Sequence, residues 1–500
     1  MGPSSAALIG LRLNLIILKA LASFILRSWQ TLIHWKKVAE ALFSDSGFVA
    51  AGKGVTFSGC LVPALLQMST DPNNPLAFRD FRYFWLARAC ITLAQNCMVV
   101  VIGWQVYDVA RQTRDPKQAA LWLGLIGLVQ FAPLFALTLV TGWVADRIDR
   151  RLIVRLCVGA QLLCATTLAT YSWFERISFA PLFAVAAILG VSRAFYAPAQ
   201  NAIGPNLVPT EALPRAIASN SIATRMGAIL GPGVGGALYA GAAHFPYSFS
   251  VCLFGCALVC MLMIRPIVVT NMDRSRKPWR QMLEGFHYVR QNGLLLGAIS
   301  LDLFAVLLGG ATALLPIFAR DVLHIGPAGL GYLRAAPPVG ALLTAAWFSF
   351  RPMRDNIGVK MLVAVGVYGA ATAVFGLSRW VPLSLASLAI LGAADMFSMY
   401  VRQSLIQIST PNDMRGRVGA ISSMFVSASN ELGEAESGFL AAAVGPTTAV
   451  VIGGVGAVAI AALWSRWFPL LRTAKNFDLP KVIMGASNHS AASASDPGNR

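Results

Sequence analysis

Two long, largely apolar runs of sequence, residues 121–141 and 152–173, are separated only by a short charged segment. Each run has about the 20 residues that an α-helix needs to cross the hydrocarbon core of a bilayer. Backbone polar groups cannot face lipid unpaired, so runs of this kind must form helices. The charged segment between them is therefore predicted to turn in water at the membrane surface.

Composition places the whole chain in the same class. Of its 500 residues, 56% are hydrophobic and only 12% are charged, whereas about 25% are charged in a typical soluble domain. Apolar runs of spanning length recur from Phe81 onward, and twelve can be counted. The sequence predicts an all-α membrane protein with twelve transmembrane helices.

The net charge of +18 comes largely from Lys and Arg in loops beside the predicted helix ends. In a soluble protein such a charge would suggest nucleic-acid binding, but here it is better explained by membrane orientation. One alternating set of loops is richer in Lys and Arg than the other. By the positive-inside rule, both termini of the twelve-helix body are expected in the cytoplasm.

The charged segment itself reads GWVADRIDRR. It resembles the loop G-x-x-x-D-R-x-x-R-R that joins the second and third helices in the major facilitator superfamily. The matching positions are Gly142, Asp146, Arg147, Arg150 and Arg151. The resemblance implies a gating latch on the cytoplasmic side, in which the Asp caps a neighbouring helix and the Arg residues hold the register. The alternative is a loop whose basic residues only set topology.

An internal repeat divides the predicted helices into two sets of six. A shift of 202 residues places Pro411 on Pro209 and repeats other residues in the same register. The further matches include Leu391 on Leu189, Phe397 on Phe195, Arg417 on Arg215, Gly433 on Gly231 and Gly438 on Gly236. Parallel halves of this kind are typical of transporters that rock around a central site. We expect two pseudo-symmetric six-helix bundles, residues 68–270 and 293–470.

The fifth predicted helix carries the segment GAILGPGVGG. It resembles the antiporter motif G-x-x-x-G-P-x-x-G-G of proton-coupled exporters in the same superfamily. The matching positions are Gly227, Gly231, Pro232, Gly235 and Gly236. The family pattern has a further Gly where this chain has Ala218, so the match is incomplete. The resemblance implies export, and the alternative explanation is small residues that let helices pack closely.

Ionisable residues inside membrane spans are costly, so each one marks a candidate site. They are Arg88, Arg193, Arg225, Asp302, Arg334, Asp395, Glu431 and Glu434. The four carboxylates are candidates for carrying a proton, since burial in an alternating cavity favours their neutral form. The repeat places Asp395 on Arg193, so this pair is expected to offer an acid and a base to one cavity. For each residue, the alternative is a structural ion pair.

The remaining segments have separate interpretations. Residues 271–292 are basic and amphipathic, which predicts a linker helix on the inner membrane surface.

Residues 1–67 form an extension with no matching role, and we expect translation to start at Met68. The alternative is that residues 6–26 are a targeting or extra membrane segment. Residues 471–500 are rich in Ser, Ala and Asn, which predicts a disordered tail.

Other chemistry has no sequence support. There is no H-E-x-x-H or G-x-S-x-G motif, and His and Cys do not occur at metal-ligand spacing. We therefore expect no enzyme, no metal and no cofactor, and energy from a transmembrane proton gradient. The counter-ion could also be sodium. The expected partners are a small molecule and the lipid bilayer, with no nucleic acid, and we expect a monomer.

The body from residue 75 to 467 also resembles one branch of the superfamily, which includes the enterobactin exporter and related bacterial secretion-type carriers. The resemblance is carried by residues 74–85, by the linker segment 285–290 and by residues 415–418. It implies efflux of a siderophore, a drug or another small amphipathic compound across the inner membrane by proton antiport. A lysophospholipid flippase of the same fold and a non-transporting membrane receptor are the alternatives.

Overall fold

The computed structural model describes residues 74–265, 278–351 and 355–474, and within these ranges the chain is helical and contains no strand. Residues 264–292, which include the predicted linker, separate the sixth long helix from the seventh, and most other connections are short. The described ranges contain twelve long helices. They are α1 Arg79–Arg111, α2 Pro116–Arg147, α3 Arg150–Trp173, α4 Phe179–Ile203, α5 Leu213–Gly241, α6 Phe245–Met263, α7 Gly293–Leu308, α8 Gly326–Phe350, α9 Ile357–Leu377, α10 Val381–Ser409, α11 Asn412–Val444 and α12 Pro446–Trp467. Helical turns continue α7 over 311–322.

The prediction of an all-α membrane protein is confirmed. In the described part of the chain, nine helices are long and apolar enough to cross a membrane, namely α1–α4, α6, α7 with its following turns, α9, α10 and α12. The other three long helices, α5, α8 and α11, do not meet this criterion. They are also the helices that, together with α2, lie at the contact between the two halves. Polar and small residues are tolerated there because the neighbouring half, rather than lipid, covers them.

The two predicted halves repeat the same packing. In the first half α1 packs against α5 and α6, α4 against α2 and α3, and α3 against α6. Each of these pairs has its counterpart six helices later in the chain: α7 with α11 and α12, α10 with α8 and α9, and α9 with α12. The halves meet mainly through α2 with α11 and α5 with α8. Pseudo-symmetry is therefore present in the three-dimensional packing as well as in the sequence.

Glycine makes the contact between the halves close. A Cβ added at Gly236 of α5 would lie 2.4 Å from the carbonyl oxygen of Pro327 at the start of α8. A Cβ added at Gly438 of α11 would lie 2.4 Å from the Cα of Gly124 of α2. We call the end of the bundle at the 142–151 turn the hairpin end, and the opposite end the far end. Both contacts lie in the far-end part of their helices.

The linker helix, Pro278–Gln291, docks on the hairpin end of the second half. The Tyr288 hydroxyl donates to the Ser409 carbonyl oxygen at 2.8 Å, and Val289 is buried. Glu284 pairs with Arg417 of α11. Leu283 and Phe286 remain exposed, as expected for an amphipathic helix with one face left for a membrane surface. Its position on the inner surface stays a prediction.

For some predicted segments the structure describes no residues. The extension 1–67 with its start at Met68, the linker residues 271–277 and the tail from 475 onward lie outside the described residues. Residues 471–473, at the start of the predicted disordered tail, belong to a short helix, Pro469–Thr473. Burial of Leu471 gives this turn an apolar anchor.

Replacing Gly236 with Ala should loosen the contact between the halves. The new Cβ would overlap the Pro327 carbonyl oxygen, so α5 and α8 must separate, at a cost of about 1–3 kcal/mol. The measurement is the melting temperature in detergent. Gly233→Ala is the matched control on the same helix, because its Cβ would meet no atom within 4 Å. Equal melting temperatures for the two variants would contradict this packing.

Candidate functional site

A cavity of about 310 Å³ lies where the two halves meet. Most of its wall comes from α7–α11 of the second half, and Arg225 on α5 comes from the first. Its charged lining residues are Arg225, Asp395 and Glu434. The cavity is therefore a polar site between two bundles, which is where bundle transporters hold their substrates.

A break in α7 shapes one side of this cavity. The helix ends at Leu308, and Gly309 and Gly310 precede the following turn. A Cβ at Gly310 would lie 2.2 Å from the Gly433 carbonyl oxygen of α11, so only glycine permits this approach. The Tyr368 hydroxyl of α9 donates to the Gly309 carbonyl oxygen at 3.0 Å, which pairs a backbone group freed by the break.

Asp395 and Arg225 face the cavity from opposite halves. Within the described ranges, Asp395 forms no ion pair within 4 Å, although it lies in electrostatic range of Asp302 and Arg402. The Arg225 guanidinium lies 3.8 Å from the Met396 sulfur. Apart from Glu434, which Arg334 pairs, the cavity thus offers one cation and one carboxylate to a bound molecule.

The internal repeat predicted that Asp395 and Arg193 share the cavity, but the structure pairs Arg193 elsewhere. Its guanidinium lies 3.0 Å from the Glu431 carboxylate of α11, an ion pair that joins the two halves. The repeat relates Arg193 and Asp395 by sequence position only. The side chain's actual partner is an acid on α11 of the other half.

Glu434 makes a different contact. It lies 3.3 Å from Arg334 of α8, which also donates to the Thr312 carbonyl oxygen at 2.6 Å. Glu431 and Glu434 lie three residues apart on α11, yet one pairs with the first half and the other with the second. Each carboxylate predicted from the sequence as a coupling candidate on this helix therefore has an arginine partner.

The fourth candidate carboxylate, Asp302 of α7, forms a buried ion pair with Arg402 of α10. Sequence reasoning missed Arg402, because it lies near the predicted end of its helix, where basic residues usually set topology. The sequence did contain one indication that Arg402 is part of the site. Arg402 follows Asp395 by seven residues, which places both on one face of α10.

Arg88 lies in the packing of the first half, outside the cavity wall. Its guanidinium donates to the Thr224 hydroxyl at 3.0 Å and to the Asn201 side-chain oxygen at 3.3 Å. These contacts tie α1 to α5 and α4. Neutral acceptors pair the charge here, so the structure gives Arg88 a packing role.

The far end carries a group of ion pairs between the two halves. Asp108 of α1 pairs with Arg320, and Asp321 pairs with Arg111 at 3.3 Å and accepts from the Tyr107 hydroxyl. We call these residues the far-end lock. They join the end of α1 to the turns after α7, so they fasten one half to the other.

The predicted gating turn is a tight one. α2 ends at Arg147 and α3 begins at Arg150. The Asp149 carboxylate accepts from the Arg151 amide at 2.9 Å, which caps α3. The Arg151 guanidinium lies 2.6 Å from Asp149 and donates to the Ile264 carbonyl oxygen after α6. Partial burial raises the pKa of Asp149, but the Arg151 hydrogen bonds and charge outweigh it and hold that pKa below its ordinary value.

Two further positions of the gating motif, Gly142 and Asp146, belong to the last turns of α2. The surroundings of these two residues lie outside the described part of the chain. The capping of a neighbouring helix by Asp146 therefore stays a prediction. Arg147 and Arg150 take part in interactions as well.

The residues of the glycine motif of α5 pack against two different helices. A Cβ at Gly227, Gly231 or Gly235 would meet α1 at 3.0 Å or less, whereas Gly236 faces α8. The carbonyl oxygen of Pro232 would lie 2.6 Å from a Cβ at Gly331 of α8. Close packing therefore accounts for the motif's spacing, and a role in antiport stays a prediction.

Comparisons with known proteins agree with the fold. Residues 70–485 match the family described as transmembrane secretion effector. The enterobactin exporter of Citrobacter koseri is 26% identical over 404 residues, which cover 80% of this chain and 93% of that protein. The enterobactin exporter of Escherichia coli O1:K1 / APEC is 25% identical over 406 residues, with 80% and 93% coverage.

Solved structures show the same fold at lower identity. A POT family transporter in complex with 5-aminolevulinic acid superposes with a TM-score of 0.62 at 14% identity, covering 81% of this chain and 99% of that one. A bacterial homolog of the human lysosomal transporter Spinster gives 0.59 at 17%, covering 79% and 98%. A D-xylose-proton symporter gives 0.59 at 14%, covering 78% and 98%.

Neutralising Asp321 should favour separation of the halves at the far end. Asp321→Asn removes the carboxylate that holds Arg111, and ion pairs that solvent reaches contribute about 0.2–1 kcal/mol. The population of the state open at the far end should rise by about 1.4- to fivefold. Spin labels at Gln112 and Arg379, in a background without native cysteines, report it as longer distances.

The control for this measurement is Asp115→Asn, which neutralises an exposed carboxylate at the same end of the bundle. A distance distribution that changes equally in both variants, or in neither, would contradict a locking role for Asp321.

Proposed function

The chain belongs to the transmembrane secretion effector family, and we propose that it is a secondary active exporter working by proton antiport. It is a multi-pass membrane transporter of the major facilitator fold, not an enzyme, and such proteins handle small molecules. The proposed cargo is a small organic or amphipathic compound such as a siderophore or drug. The observation that carries the proposal is the cavity between the halves, with ionisable side chains from both.

The cavity wall supports an amphipathic cargo. Tyr368, Met396 and Met399 supply aromatic and thioether surface, while Arg225 and Asp395 supply opposite charges. A compound held there touches both halves, so its binding can change how they separate. The curated relatives export enterobactin. A compound of that kind is therefore the first one to test.

The proton is proposed to bind the carboxylates of the second half. Asp395 faces the cavity and has no ion-pair partner among the described residues, so cavity water can protonate it. Glu431 is held by Arg193 across the halves at 3.0 Å. A proton on Glu431 would remove this attraction and favour separation at that point. Protonation and movement of the halves are thereby linked.

The direction of transport follows from the proposed orientation. The hairpin end is assigned to the cytoplasm of the inner membrane, with both termini of the helical body on that side. The far-end lock and the glycine contacts close the opposite end. The compound enters the cavity from the hairpin end, the halves rock, and it leaves at the far end. A proton travels inward on the return. One chain holds the whole cavity, so a monomer is sufficient.

The test uses Asp395→Asn in proteoliposomes made with the full chain. A pH gradient is imposed and enterobactin is added. Wild-type protein should dissipate the gradient only when the compound is present. The variant should lose this compound-driven proton flux, because the amide cannot take up and release the proton. Compound-for-compound exchange without a pH gradient should persist.

Asp355→Asn, an exposed carboxylate in the loop before α9, is the control and should behave as wild type. Transport that requires sodium, or that is unchanged in Asp395→Asn, would contradict proton coupling at this residue. A response to lysophospholipids alone would favour the flippase. Folded protein that moves none of these compounds would favour the receptor.

A further inference from the structure

The most deeply buried charged groups of the second half lie outside the cavity wall. Asp302 of α7 and Arg402 of α10 form an ion pair whose side chains are only 5% and 2% exposed. Burying two charges is costly even when they pair, and apolar residues of the same size often stabilise a fold as well or better. The pair therefore calls for an explanation other than stability.

A third charged residue connects this pair to the cavity. Asp395 lies two turns before Arg402 on the same face of α10. Its carboxylate is within electrostatic range of both Arg402 and Asp302. The Arg402 Nε atom is buried and has no hydrogen-bond acceptor among the described residues. Arg402 therefore has a spare donor on a side chain that already holds one carboxylate and lies near a second.

The groups packed around these three residues leave the charge unbalanced. On α9, Tyr368 interacts with both Asp395 and Asp302, and its hydroxyl donates to the Gly309 carbonyl oxygen. On α11, Glu434 is engaged by Arg334 of α8. On α5, Arg225 faces the cavity beside Met396. Two carboxylates thus share one buried guanidinium, a net charge of −1 when all three are ionised.

We propose that Asp302, Asp395 and Arg402 form a single unit that carries one proton per cycle, with Arg402 as its positioning residue. This inference rests on the proposed antiport and deepens it. One proton makes the buried unit neutral, which removes the cost of an unpaired charge. The proton passes from cavity water to a carboxylate oxygen of Asp395 and returns to water from the same oxygen.

The unit can also transmit its protonation state. Asp302 lies on α7, seven residues before the break at Gly309, whereas Asp395 and Arg402 lie on α10. When Asp395 is ionised it competes with Asp302 for Arg402, and the attraction between α7 and α10 weakens. When Asp395 is protonated, Arg402 pairs with Asp302 alone, and this ion pair holds α7 and α10 together. The break in α7 forms part of the cavity wall, so the shape of the cavity follows the proton.

The experiment compares Asp302→Asn/Arg402→Gln with wild type in the full chain. Removing both charges of the pair leaves no uncompensated ion from it, so compound exchange without a pH gradient should stay within about twofold of wild type. Asp395 then loses the buried guanidinium of the unit, while Arg225 across the cavity is unchanged. The double variant should therefore lose compound-driven proton flux, and its exchange rate should no longer change with pH.

The matched control is Glu284→Gln/Arg417→Gln, which removes the ion pair between the linker helix and α11 and should leave exchange and proton flux intact. A double variant of Asp302 and Arg402 with wild-type proton flux and pH profile would overturn the proposal and assign the pair a structural role.

If the double variant does not insert into the membrane, Arg402→Lys tests the proposal instead. Lysine keeps the positive charge but places it at a different distance from the two carboxylates, so proton flux should persist and the midpoint of its pH dependence should shift. A midpoint identical to wild type would overturn the proposal. Wild-type protein that exchanges no compound would instead contradict the proposed function, and wild-type exchange without proton flux would contradict antiport itself. These outcomes separate the two claims.

Discussion

The arrangement of this protein depends on the cost of leaving a charge unpaired within a membrane. Each of four intramembrane arginines is paired by another helix: Arg88 by polar side chains of α4 and α5, and Arg193, Arg334 and Arg402 by carboxylates. These pairings fix which helix faces meet. Among the four candidate carboxylates, they leave Asp395 as the one that lines the cavity without an ion-pair partner in the described chain.

Two kinds of contact join the halves, and they differ in how easily they can change. The glycine contacts of α2 with α11 and α5 with α8 depend on shape and persist only if the backbones stay close. The far-end lock and the Arg193–Glu431 pair depend on charge and can be broken by water or a proton. Exit of a compound at the far end therefore requires the glycine contacts there to part as well as the ion pairs to break, which is a rocking motion about the central cavity.

The sequence predicted the elements whose signal is local or repeated. The turn at Arg147 and Arg150, the twofold repeat of helix packing and the amphipathic linker follow from spacing alone. Side-chain partners did not follow, because a small rotation of a helix decides which acid an arginine meets. Arg193 pairs with Glu431 for this reason, and Arg402 was overlooked because hydropathy does not distinguish a basic residue at a helix end from one buried beneath the cavity.

The measurement that tests the central claim most directly is reverse coupling in wild-type protein. Proteoliposomes are loaded with enterobactin and diluted into compound-free buffer at equal pH, so only a compound gradient exists. If the cavity exchanges a compound for a proton, the outflow of compound must carry protons inward and acidify the lumen. Efflux of the compound with no change in lumenal pH, or with alkalinisation, would contradict antiport through this cavity.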